Sequence, residues 1–326
     1  MTSIANATAV VERRPRHLLT LSDLGDHGLQ AMLDLTARLK REPEAFRGAL
    51  AGGRVGMIFD KPSTRTRVSL ESAAWMLGML PIVLRPDELQ LGRGETIHDT
   101  ARALSLYLDA LTVRTHDQAD VEAIAAAASI PVINALTNEH HPCQALADVM
   151  TLEEEFGTLA GIQVAFIGDG DNVCHSLIQA AGLGGFELRV ATPPGYEPDP
   201  AIVEEARARA LQTGGVIILT HDPEEAAYGV EAVYADVWTS MGKEAEGDAR
   251  RAAFAGFTVD PDLMSRASRS AIFLHCLPAH RGEEVTDTVI DGPASRVWTQ
   301  AENRLHTETA LLYAVLTGDP TGERLT

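Results

Sequence analysis

Ten consecutive residues, Ile58-Phe59-Asp60-Lys61-Pro62-Ser63-Thr64-Arg65-Thr66-Arg67, pass from apolar, strand-forming side chains into hydroxyls and guanidiniums. Read as a strand handing over to a helix, this segment suits an anion, because helix-start amides, Ser and Thr hydroxyls and a guanidinium all donate toward one point. The plain alternative is a helix capped by Ser63 or Thr64, with both arginines in water. Against it, two arginines in a first turn oppose the helix dipole unless an anion sits there. Arg65 and Arg67 are two residues apart, about 200° around a helix, so one phosphate takes only one of them. Arg65, nearer the helix start, is the expected ligand, and Arg67 the expected member of an ion pair.

Three further constellations carry reactive types. Asn138-Glu139-His140-His141-Pro142-Cys143-Gln144 lies where a strand and loop give way to a helix. With a helix beginning near Pro142, His141 and Gln144 share a face, and imidazole plus carboxamide suits a polarised carbonyl. A Pro-initiated helix with a merely packed histidine reads equally well. Phe273-Leu274-His275-Cys276-Leu277-Pro278 brings a thiol to the C-terminal edge of a buried strand, where open α/β sheets bind ligands. A lone cysteine is more commonly core. Asp236-Val237-Trp238-Thr239-Ser240-Met241-Gly242 offers a carboxylate to an ammonium group, or is a plain polar turn.

Two tempting motifs fail. Gly168-Asp169-Gly170-Asp171-Asn172-Val173 follows a strand, but its third glycine position is Val173 and no firm acidic ribose partner follows, which disfavours a dinucleotide. No Gly-x-x-x-x-Gly-Lys-Ser/Thr loop or His-Glu-x-x-His helix occurs, and the adjacent pairs His140, His141 and His275, Cys276 lack zinc-ligand spacing. The expectation is no metal, no nucleotide and no cofactor.

The elements that must position these groups alternate. Strand-like runs at 55–59, 80–84, 111–114 and 132–134 are separated by helical stretches such as 64–77 and 97–108. A second series follows at 162–168, 188–191, 216–219, 232–236 and 272–275. The fold class is therefore α/β: two domains, each a parallel sheet flanked by helices, with the active site in the cleft between them. The helical segment 141–156 carries the junction, giving a first domain of 1–150 and a second of 151–299. An amphipathic helix near 299–316, part of a C-terminal stretch 300–326, is expected to pack back on the first domain.

Composition narrows the partners. The 326 residues suffice for about two domains. The formal net charge of -19 repels nucleic acid and anionic membrane, so an anionic ligand needs a local basic cluster. No run of about 18 apolar residues occurs and residues 1–17 lack the apolar block of a secretion signal, which makes a cytoplasmic address the default. Cys143, Cys174 and Cys276 form no disulfide framework.

Together the ordered motifs resemble the aspartate/ornithine carbamoyltransferase family. The resemblance rests on Ser63-Thr64-Arg65-Thr66-Arg67, His141-Pro142-Cys143-Gln144, Asp236-x-x-x-Ser240-Met241-Gly242 and His275-Cys276-Leu277-Pro278. Gln90-Leu91-Gly92-Arg93-Gly94-Glu95-Thr96 and Ala301-Glu302-Asn303-Arg304 extend it over 18–318. It implies a carbamoyl phosphate site of Ser63, Thr64, Arg65, Thr66, Arg114, His141 and Gln144, closed from the second domain by Arg304, Cys276 and Leu277. Gln90 would come from a neighbouring subunit, implying a homotrimer or a multiple of trimers. Asn172, Asp236, Ser240 and Met241 resemble ornithine-binding residues, and Arg65, Arg114, His141, Asp236 and Cys276 the catalytic set. Leu106 departs from the pattern, standing where the family resemblance calls for a basic residue. The implied reaction is attack of the δ-amine of ornithine on carbamoyl phosphate, giving citrulline. The rivals are transfer to putrescine, an N-acylated ornithine or aspartate, a non-catalytic carbamoyl phosphate-binding protein, and a nucleotide-dependent dehydrogenase.

Overall fold

The computed structural model describes residues 17–25, 27–61, 63–85, 87–91, 93–239 and 244–322. The expected ligands Ser240 and Met241 lie outside the described residues.

Strands β1 (Arg54–Phe59), β2 (Leu80–Leu84), β3 (Ala110–Arg114) and β4 (Val132–Leu136) form one parallel sheet in the order β2-β1-β3-β4. Strands β5 (Gln163–Ile167), β6 (Glu187–Ala191), β7 (Val216–Thr220), β8 (Ala232–Ala235) and β9 (Ile272–His275) form a second, in the order β7-β6-β5-β8-β9. The central strands are buried from end to end, as Ala-Leu-Thr-Val-Arg of β3 and Ala-Val-Tyr-Ala of β8 illustrate. Helices on both faces leave no solvent side, so apolar residues run continuously instead of alternating.

The strand order places the ligand cleft. From β1 the chain moves outward to β2 and then returns to β3 on the opposite side. From β5 it moves to β6 and β7 before returning to β8. In each sheet the connecting loops diverge at that reversal, β1/β3 and β5/β8, and open a crevice at the carboxyl ends of the strands. Phe59 pairs with Arg114 at the first crevice and Ile167 with Ala235 at the second.

One apolar core runs between the sheets, joining Leu70 and Val149 of the first half to Phe166 and Leu274 of the second. The helix Pro142–Phe156 carries the chain across, starting with Pro at its first position and ending at Gly157 in the left-handed conformation. The helix Val297–Thr317 returns and packs mainly on Pro142–Phe156, Thr64–Met76 and Gly28–Arg41. Arg304 therefore reaches the cleft from a helix that packs on helices of the first half, as expected of the stretch 300–326.

Some boundaries moved. The helix expected over 97–108 is Ile97–Ser105, because Leu106 and Tyr107 bond back to Ala103 and Leu104 in a tightened final turn. The strand expected over 232–236 stops at Ala235, which makes Asp236 the first residue past it. Gly28–Arg41 precedes the stretch read from sequence, yet its buried Leu29, Met32, Leu33, Leu35, Thr36 and Leu39 follow helical spacing. Among the described residues no helix is long and apolar enough to cross a membrane.

Candidate active site

A cavity of about 390 Å³ opens between the two sheets, and its wall is made of strand ends. Ser63, Thr64, Arg65 and Thr66 follow β1; Arg114 is the last residue of β3; His141 and Gln144 follow β4; Asn172 follows β5; Asp236 follows β8; Cys276 and Leu277 follow β9. Arg304 completes it from the C-terminal helix. Gln90 is exposed and does not line the cavity of its own chain.

The anion side is assembled at the start of the helix Thr64–Met76. Ser63 occupies the N-cap position, but its side chain makes no capping bond, and the first turn holds no acidic residue. Thr66 Oγ1 accepts from Arg304 Nη2 at 3.2 Å. Arg65 lines the cavity, whereas Arg67 pairs Nε with Glu71 Oε1 at 2.7 Å. Burial, together with Arg304 and Arg65, pulls Arg114 down to about 10. Guanidiniums that lower one another's affinity for protons form a site that gains from a multiply charged anion.

His141 is buried, and burial followed by Arg304 and Arg114 hold its pKa well below the usual value. It is thus a neutral imidazole at pH 7, suited to hydrogen-bonding a carbonyl. Gln144 reaches the wall, but both ends of its amide are engaged: Oε1 accepts from Arg304 Nη1 at 2.7 Å, and Nε2 donates to Asp148 Oδ1 at 2.7 Å. Its geometry fixes Arg304 as much as it offers a contact to a ligand.

The opposite wall is acidic. Asp171 and Asp236 both line it. Burial first, and then Asp171, push Asp236 up to about 7. The Cys276 thiol donates to Asp236 Oδ1 at 2.9 Å, and burial with Asp236 beside it raises that thiol well above its ordinary range. Asn172 lines this wall, and its Nδ2 donates to the Thr137 carbonyl at 2.6 Å, which ties the β5 loop to the loop after β4.

Behind Cys276 lies a pair that sequence reading missed. His275 Nδ1 accepts from the Leu277 amide at 2.9 Å, which leaves Nε2 to donate to Glu284 Oε1 at 3.1 Å, with both side chains fully buried. The ligating atoms of Asp236, His275 and Cys276 lie within 4.8 Å of one another, a proximity that adjacency in sequence did not reveal. Within this set Cys276 bonds Asp236, while both ring nitrogens of His275 are taken by the Leu277 amide and Glu284. Lys61, which also lines the cavity and donates to Asn138 Oδ1 at 2.6 Å, was legible as a cation in the β1 segment but was not singled out.

The glycine loop after β5 serves packing. A Cβ at Gly170 would collide with the backbone of Glu197 and Pro198, and Asp169 pairs with the buried Arg250. That side of the loop is filled by protein.

A cleft with cations on one side and carboxylates on the other suits a transferase that takes an anionic and an amine-bearing substrate. Two family models match the chain: the carbamoyl-P binding domain of aspartate/ornithine carbamoyltransferase over residues 16–154, and its Asp/Orn binding domain over residues 160–315. The ornithine carbamoyltransferase of Acidothermus cellulolyticus is 50% identical over 301 residues, 92% of this chain and 96% of that relative. That of Pyrococcus abyssi is 49% identical over 318 residues, 96% of this chain and 99% of the relative. Among solved structures, ornithine carbamoyltransferase from Pyrococcus furiosus has a TM-score of 0.90 at 48% identity, covering 93% of this chain and 98% of its own. The Thermus thermophilus enzyme has a TM-score of 0.84 at 44% identity, covering 93% and 99%. The chain belongs to the aspartate/ornithine carbamoyltransferase family.

Proposed function

We propose that this chain transfers the carbamoyl group of carbamoyl phosphate to the δ-amine of L-ornithine, giving L-citrulline and phosphate. The observation that carries the reading is the division of charge across one cavity, with Arg65, Arg114 and Arg304 on one wall and Asp171 and Asp236 on the other. A phosphorylated donor fits the first wall and an amine-bearing amino acid the second. Residues 1–150 with the stretch 300–326 would form the donor domain, and residues 151–299 the acceptor domain.

In this reading the amides at 63–66, Arg65 and Arg114 hold the phosphate, and neutral His141, Thr66 and Arg114 polarise the carbamoyl oxygen. The δ-ammonium gives up one proton before its nitrogen attacks the carbonyl carbon. Asp236, poised near neutrality, takes it, with the Cys276 thiol fixing the carboxylate and the His275 to Glu284 pair holding the β9 end. The tetrahedral adduct collapses by breaking the bond to phosphate, and the nitrogen's second proton leaves with the phosphate. Donors placed where charge develops are commonly worth about 10²-fold or more each.

Gln90 is the candidate for reaching a neighbouring subunit's cavity. Exposed Val68, Trp75, Leu80, Leu106 and Tyr107, from elements before and after it, suit a subunit interface, and the assembly in this reading is a homotrimer or a multiple of trimers. Arginine metabolism in the cytoplasm is the setting that fits these substrates. The test is a product assay with carbamoyl phosphate and, in parallel, ornithine, putrescine, N-acetylornithine and aspartate. Citrulline formation well above every other product is expected; faster turnover of putrescine would overturn the acceptor assignment.

A further inference from the structure

Two buried polar residues outside the cavity wall join its halves. Asp148, fully buried on the helix Pro142–Phe156, accepts from Gln144 Nε2 at 2.7 Å and from Gln300 Nε2 at 2.6 Å on Oδ1, and from the Tyr234 hydroxyl at 3.2 Å on Oδ2. Gln300, on the C-terminal helix and equally buried, uses Oε1 to accept the backbone amide of His275 at 2.9 Å. One continuous path results. It runs from Thr66 through Arg304 and Gln144 to Asp148, and from there through Gln300 to the end of β9, where Cys276 begins the acceptor wall. A second branch reaches β8 through Tyr234, two residues before Asp236.

We propose that Asp148 and Gln300 are positioning residues that set the register between the donor and acceptor halves of the site, an inference that rests on the carbamoyl-transfer reading above. The physical reason is directional. The apolar core holds the sheets together but permits small slides. Hydrogen bonds between one carboxylate and donors from both halves fix the distance from the phosphate loop to Asp236 and Cys276. Misplacing reacting groups by about 1 Å can cost about 10²-fold without any lost contact to substrate. Burial pushes Asp148 up to about 6, so it remains a carboxylate at pH 8, able to accept from all three donors.

The test inverts the polarity of the contact. Gln300→Glu keeps an acceptor for the His275 amide but sets a second carboxylate against Asp148. Adding Asp148→Asn removes the like-charge contact: turned with its amide nitrogen toward position 300, the side chain gives the glutamate a donor and keeps an oxygen for the Tyr234 hydroxyl, while Gln144 gives up its bond to Oδ1. At pH 8, Gln300→Glu should lower kcat about 10-fold or more while KM for carbamoyl phosphate stays within about threefold, and the double variant should raise kcat at least about threefold above that of Gln300→Glu. Thermal unfolding is followed in parallel. Wild-type kcat in Gln300→Glu would overturn the proposal, as would a double variant that regains its unfolding temperature but not its kcat. Should Gln300→Glu fail to fold, Gln300→Met, which cuts the same link without adding charge, is judged by the same split between kcat and KM. Wild-type protein that forms no citrulline would defeat the functional reading itself; active wild type with unaffected variants would defeat this inference alone.

Discussion

The Cys276 thiol lies 2.9 Å from Asp236 Oδ1 and donates to it, so the ends of β9 and β8 meet in one hydrogen bond at the acceptor wall. A thiol tied to a carboxylate is a poor nucleophile, since ionising it would place two negative charges together. Iodoacetamide should therefore label Cys276 more slowly than a free cysteine peptide at pH 7.5, and Asp236→Asn should speed labelling. Cys276→Ser, which keeps a donor, should retain more kcat than Cys276→Ala, whose loss is expected at about 10-fold or more.

Asp236 also sets a pH dependence. Its carboxyl is pushed up to about 7 by burial and Asp171, so kcat/KM for ornithine should rise as pH increases through that value. Stability runs the other way. The native state holds this proton more tightly than the unfolded chain does, so its contribution is complete below 3.8 and is lost as pH rises toward 7. Asp236→Asn should abolish turnover yet raise the midpoint of thermal unfolding at pH 8 by about 2 °C or more. An unchanged or lowered midpoint would contradict the assignment.

Arg65 and Arg67 separate function from surface chemistry. Arg65→Ala should reduce kcat/KM by about 10²-fold or more. Arg67 pairs with Glu71 on a half-exposed helix face, where such pairs contribute about 0 to 1 kcal/mol, so Arg67→Ala should leave turnover nearly unchanged. Steady-state kinetics on the two variants, alongside urea unfolding, decides the matter; the reverse pattern would refute it.

Arg304 is expected to act on both stability and activity. It is buried against Glu308, with Nε donating to Oε1 at 3.1 Å. Arg304→Met would strand a buried carboxylate at a cost of about 3 kcal/mol or more. Joining it with Glu308→Gln should recover much of the unfolding free energy and none of the carbamoyl transfer. Recovery of activity in that pair would show that Arg304 serves packing alone.

Much of this site was legible because parallel strands announce themselves as short buried apolar runs and because the reactive residues follow them directly. Arg114, His141, Asp236 and Cys276 all sit within a few positions of such a run, and the carboxyl edge of a parallel sheet is where the backbone leaves room for a ligand. Glu284, Asp148 and Gln300 carried no such mark. Each lies on a segment whose sequence reads as ordinary, and each matters through a partner that no local periodicity pairs with it, nine positions away for Glu284 and up to 152 for Asp148. Asn172 was visible as a residue at a helix start, but the Thr137 carbonyl that takes its amide was not.

Spacing and residue type by themselves determined two parallel α/β units, a helix start at Ser63 to Thr66 dressed with hydroxyls and a guanidinium, and a thiol and a carboxylate at strand ends, since each follows from local periodicity and local charge. Tertiary structure alone decided that Arg304 would donate to Thr66 while also bonded to Gln144 and Glu308. It also decided that His275 would turn to Glu284, and that Asp148 would receive donors from both sides of the cleft. Those are contacts between residues up to 238 positions apart, as Arg304 and Thr66 are, and they exist only where the folded core brings the elements together.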